Sequence, residues 1–167
     1  FTDADRTLWL LEVESGTLEE IDYDLYAHPE RSLNPEWSPD GDWIAYSKRT
    51  DSQFRVLHAY SLEEDTSLAL TDGLADAVHP TWDKSGEYLY FMASTDYGLD
   101  TGWLDMSSYG RPVERGLYMA VLDADQPSPL LPESDEEPVE EDEEQDETAA
   151  AEENGADVQI DLDGLDQ

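Results

Sequence analysis

Residues 34–50 read NPEWSPDGDWIAYSKRT, and residues 79–95 read HPTWDKSGEYLYFMAST. Placed side by side at an offset of 45, the two align without a gap: Pro35 meets Pro80, Trp37 meets Trp82, and Gly41 meets Gly86. Trp43, Ile44, Ala45 and Tyr46 then meet Tyr88, Leu89, Tyr90 and Phe91, so the apolar run after the turn keeps its character. Locally each copy reads as a hairpin. A tryptophan ends one strand, Asp40-Gly41 or Ser85-Gly86 supplies a residue that accepts positive φ, and an aromatic-rich strand follows.

A second repeated hairpin lies on either side of the first copy. LLEVESGTLEEID (10–22) matches AYSLEEDTSLALT (59–71) at an offset of 49, with Val13 on Leu62, Thr17 on Thr66 and Ile21 on Leu70. The larger offset places four extra residues in the connection LYAHPERSL, which a surface loop tolerates. A repeat of this length built from short strands, without the three-and-four spacing of helices, is the pattern of propeller blades. The expected fold is all-β: a partial β-propeller of four-stranded antiparallel blades, with a disordered acidic insert.

In chain order, residues 1–131 form the partial propeller. It has a blade hairpin at 8–22, a full blade at 34–71 and an interrupted blade from 79. The interruption, STDYGLDTGWLDMSSYGRPVERG (94–116), is rich in turn residues and precedes a third strand, LYMAVLDAD (117–125). Residues 132–156 are dominated by like charges and hold too few apolar side chains to offset chain entropy, so disorder is expected. From 157 to 167 the alternation of Val158, Ile160 and Leu162 with polar residues predicts the start of a resumed propeller strand. With blades missing on either side, the isolated chain is expected to be poorly stable.

The chain has 167 residues and a formal net charge of −35, and 17 of its 43 acidic residues lie between Glu133 and Gln167. All eight Lys and Arg residues precede that stretch. Such a surface repels phosphate backbones and anionic lipid headgroups, so neither nucleic acid nor a membrane is an expected partner. It suits hydration in high salt, and equally plain solubility. There is no cysteine, hence no disulfide or thiolate metal site. Phe1–Leu11 lack an initiator Met and a signal-peptide pattern, and no apolar run reaches membrane-span length. The chain is expected to start inside a domain.

The NPxWSPDGxWIAY pattern resembles the TolB-type, WD40-like (PD40) propeller repeat. The segment FMASTDYGLDTGWLDMSSYGRPVERGLYMAVLDADQPSPLLPESDEE (91–137), together with the final VQIDLDGLDQ, is similar to the propeller region of tricorn-type serine peptidases. The resemblance covers the chain apart from the acidic insert. It implies a propeller upstream of a PDZ-like domain and a peptidase core, shaping a channel or scaffold through which peptides reach the catalytic Ser, His and Glu of that core. No catalytic residue falls in this sequence. Expected partners are peptides, the rest of the parent chain and a further copy of it, in the cytoplasm or alternatively the periplasm. A non-enzymatic TolB-like interaction module, and a propeller joined to an α/β-hydrolase peptidase, are the competing readings.

Candidate sites are few. His28, His58 and His79 lack ligand spacing, and DLDGLDQ (161–167) places its glycine too early for a calcium loop, so no metal or other cofactor is expected. Ser38, Ser47 and Ser61 lie in turn or strand patterns without a nucleophile elbow. Asp40, Asp42 and Asp72 read as turn formers, and Trp37, Trp43 and Trp82 as blade packing. The interrupting insert is the binding candidate: Trp103 and Tyr109 bind or merely cap the blade, while Arg111 and Arg115 meet peptide carboxylates or pair with local acids.

Overall fold

The computed structural model describes residues 1–26, 33–96, 113–131, 156 and 158–161. Nine strands are assigned among them, in three antiparallel sheets. The first pairs β1 (Thr7–Leu11) with β2 (Leu18–Tyr23). The second runs in the order β3 (Glu36–Trp37), β4 (Trp43–Arg49), β5 (Arg55–Ser61), β6 (Thr66–Ala69). The third joins β7 (Asp76–Trp82), β8 (Tyr88–Ser94) and β9 (Gly116–Val121). Within each sheet sequential strands pair, which is the blade meander of a partial propeller.

The second sheet buries both faces, and strand alternation decides which side chain goes where. Ile44, Tyr46 and Tyr60 pack with Leu8 and Leu33 toward the first sheet. Ala45, Leu57, Ala59 and Leu70 pack with Ala77, Trp82, Leu89, Ala93 and Leu122 toward the third. Burying one such leucine fully contributes about 1.5–3 kcal/mol, so the seams between sheets rather than any single sheet hold the chain together. Small alanines at 45, 59, 77 and 93 let the sheets approach where Trp82 fills the remaining space.

Repetition extends to backbone irregularities that the alignment does not display. Asn34 and His79, one repeat apart, both have positive φ, at 34° and 54°. At the latter, β7 slips register against β8 between Val78 and Thr81. The turn Thr50–Phe54 also has a counterpart: Thr50 N donates to Phe54 O and Gln53 N to Thr50 O, as Asp3 N donates to Thr7 O and Arg6 N to Asp3 O. Gln53 and Arg6 have φ of 70° and 69°. Phe1 and Trp9 exchange both main-chain hydrogen bonds, at 2.9 and 2.8 Å. Residues 1–2 therefore occupy the place of β4's end, and β1–β2 correspond to β5–β6, the third and fourth strands of a blade.

In the third blade Leu122 N donates to Glu87 O at 3.1 Å, as Leu62 N donates to Asp42 O at 3.0 Å in the second. Leu122 O then accepts from Asp161 N at 2.8 Å. Asp161 thus stands across the turn from the end of β9, where the fourth strand of the preceding blade begins. Residues 97–112, 132–155 and 162–167, on which the sequence placed most of the blade interruption, nearly all of the acidic insert and most of the resumed strand, lie outside the described residues.

Candidate functional site

The two long insertions leave the blade at opposite ends. At the end where β7 starts and β8 finishes, Asp76 is fully buried and gathers two arginines. Arg55 Nε and Nη2 donate to its Oδ1 and Oδ2 at 2.9 and 2.8 Å, and Arg55 N also donates to Oδ1 at 2.9 Å. Arg115 Nη2 lies 2.7 Å from Oδ2, while its Nη1 donates to the Asp76 carbonyl at 3.0 Å. Burial alone would raise the Asp76 pKa; the hydrogen bonds and charge of Arg55, with Arg115, outweigh it and hold the carboxyl below its ordinary value. This is where the structure places Arg115, at the return from the insert. Trp103, Tyr109 and Arg111 lie outside the described residues.

At the opposite end the aligned turns 38–43 and 83–88 come side by side, and their polar chemistry is exchanged. In the third blade Asp83 sits first: its Oδ1 accepts from Gly86 N at 2.8 Å and Tyr88 N at 3.1 Å, and its Oδ2 from Ser85 N at 3.0 Å. Ser85 Oγ, at the third position, also donates to Asp83. In the second blade the serine is first and the aspartate third. Ser38 Oγ accepts from Trp43 N at 2.9 Å and donates to Asp40 Oδ1, which also accepts from Asp42 N at 3.1 Å. The swap leaves Asp40 Oδ2 facing outward.

That oxygen accepts the main-chain N–H of Val158 at 2.7 Å, and Trp43 Nε1 donates to the Val158 carbonyl at 3.1 Å. Partial burial would raise the Asp40 pKa, but the hydrogen bonds from Ser38, Asp42 and Val158 bring it below the ordinary carboxylate value. The Val158 side chain enters the core between the second and third blades, 5% exposed. It sits where a Cβ on Gly86 would stand, 2.5 Å from Val158 Cγ2, and Gly86 has φ +82°. Beside it a cavity of about 480 Å³ is lined by Gly86, Glu87, Asp123, Asp125, Gln126 and Gln159, among others.

The other sequence candidates are dispersed. Ser47 and Ser61 are buried within β4 and β5. His58 stacks on Tyr46, with ring centroids 5.4 Å apart, and His79 occupies the β7 bulge; His28 lies outside the described residues. Among the described residues, no group of three or more His, Asp or Glu is placed to hold a metal ion. Among the described residues, no helix is long and apolar enough to cross a membrane. Sequence reading missed the Asp40–Val158 contact, although the exchange of WSPDG for WDKSG was visible in the aligned turns.

No protein-family model matches the chain, nor does any curated protein. Among solved structures, the crystal structure of the tricorn protease is similar, with a TM-score of 0.58 and 15% sequence identity, over 75% of this chain. The matched region is 12% of that chain, so the likeness concerns the fold of a small part of it. The chain thus has a tricorn-like propeller fold.

Proposed function

We propose that this chain is a propeller segment of a tricorn-type serine peptidase, forming part of the channel or scaffold through which peptides reach a catalytic core elsewhere in the parent protein. One observation carries the reading. The backbone likeness to the tricorn protease, found at 15% identity, coincides with the independent sequence resemblance of residues 91–137 and 158–167 to the same family. The segment contributes walls and loops rather than bond breaking, and the parent's acyl transfer belongs to the downstream Ser, His and Glu that the resemblance implies.

The test is made on the parent protein. Deleting the blades that contain residues 1–167 should lower kcat/KM for long peptides while leaving hydrolysis of a small chromogenic ester unchanged. Equal losses on both substrates, or a parent without a PDZ-like domain and serine-peptidase core, would sink the reading. The second reading is a non-enzymatic TolB-like interaction module. It is favoured by the generic NPxWSPDG turn and by the half-exposed Trp37, which lines an apolar cavity of about 380 Å³ with Phe1, Leu11 and Val13. A parent chain that ends after six or seven blades would favour it.

A further inference from the structure

Val158 is held in an unusual way for a residue in a β-protein. Both of its main-chain polar groups bond to side chains, Asp40 Oδ2 and Trp43 Nε1, at 2.7 and 3.1 Å. Its own side chain fills the space left by the absent Cβ of Gly86. Two residues on, Ile160 packs against the same core, while the intervening Gln159 lines the polar cavity outside. The segment is therefore extended, with apolar residues directed inward two positions apart. Beyond those two bonds to side chains, Asp161 N donates to the Leu122 carbonyl, and none of the described residues of the segment belongs to an assigned strand ladder.

We propose that Asp40, Trp43 and Gly86 form a docking site for an extended peptide carrying β-branched apolar residues two positions apart, with Val158–Asp161 as its occupant in cis. The chemistry is that of peptide capture. A carboxylate takes the N–H and an indole the C=O of one residue, whatever its side chain, and the glycine gap then selects for a compact branched side chain. No assigned β-ladder among the described residues includes Val158, so a trans segment that replaces its two side-chain bonds and its buried side chain leaves the ladders of the second and third blades in place. Asp40 supplies this receptor because it stands third in its turn. Ser85, at the equivalent position, has no second carboxylate oxygen to offer. The site stands whether or not the parent hydrolyses peptides, because every group in it belongs to the blades.

The experiment uses the full 167-residue chain and a fluorescein-labelled heptapeptide, ADVQIDL, read by fluorescence anisotropy. Val158→Asp evicts the cis occupant, and the peptide should then bind about tenfold or more tightly than it binds the unaltered chain, where the tethered segment competes at high effective concentration. Adding Asp40→Ala to Val158→Asp should abolish that gain, and a peptide with Asp in place of its valine should fail to bind. Equal affinity for the unaltered and Val158→Asp chains, or no binding to a Val158→Asp chain that keeps its strand circular dichroism, overturns the proposal. Loss of the blade fold in Val158→Asp overturns it too, because the segment would then be a fixed brace rather than an exchangeable occupant.

Discussion

Arg55 of the second blade grips Asp76 of the third edge-on, with Nε and Nη2 on the two carboxylate oxygens at 2.9 and 2.8 Å, and neither side chain has more than 4% of its surface exposed. A planar fork on a planar acceptor fixes angle as well as distance, so the pair sets how one blade sits against the next. Because the pair is buried, removing one partner is far more damaging than its net worth suggests.

Asp76→Asn should therefore destabilise the chain by about 3–5 kcal/mol, measured by urea denaturation near neutral pH. The pH dependence follows from the sign of the shift. The folded carboxyl lies below its ordinary 3.8, so its contribution is complete above 3.8 and is lost as pH falls from there through the folded value. The variant should lack that part of the acid limb. An unchanged acid limb would show that Asp76 does not carry it.

The aligned tryptophans should respond unequally. Trp82 is 7% exposed and its Nε1 donates to Glu36 O at 3.3 Å across the seam, whereas Trp37 is 49% exposed. Trp82→Ala should cost about 3–5 kcal/mol through the cavity it leaves. Trp37→Ala should cost about 1 kcal/mol or less. Equal losses in denaturation midpoint would contradict the placement of the core.

His58 gives the chain a second pH response, nearer neutrality. Burial lowers its pKa below the ordinary 6.5, Asp22 opposes that shift and Lys48 adds to it. The unfolded chain takes up a proton that the folded chain resists, so the contribution is full above 6.5 and declines as pH falls toward the folded value. His58→Phe, which keeps the stack on Tyr46, should flatten stability against pH in that window, where one group gives a slope of at most about 1.4 kcal/mol per pH unit. A slope identical to that of the unaltered chain would refute the assignment.

The bulge at His79 predicts a gain. Its φ of 54° suits asparagine better than histidine, and the equivalent position already holds Asn34 at 34°. His79→Asn should raise stability by up to about 1 kcal/mol, read as a higher thermal midpoint. A fall would mean that the imidazole contributes more than its backbone costs.

The sequence revealed the blades because hairpins are local: turn residues, alternation and repeat spacing all lie within a few residues of one another. The Trp37/Trp82 alignment located β3–β4 and β7–β8 for that reason. It treated the two tryptophans as equals, because burial depends on which sheet stands opposite, and a single repeat does not encode that. Nor did local reading pair Arg55 with Asp76, since both look like ordinary polar residues at strand ends. Local spacing marks Asp40 as a turn former. It is one, but only Oδ1 serves the turn, and the use of Oδ2 depends on a residue 118 positions away.

The exchange of serine and aspartate between turns 38–43 and 83–88 shows how tandem copies acquire different jobs. Both turns place one serine and one aspartate at their first and third positions ahead of a glycine, and exchanging those two separates a self-contained loop from a latch. A count of serine and aspartate at those two positions would score the copies as duplicates. Engineers who transplant blades between propellers should accordingly preserve the order of residues within each turn as strictly as the strands, because order decides which copies stay closed on themselves and which reach for a neighbour.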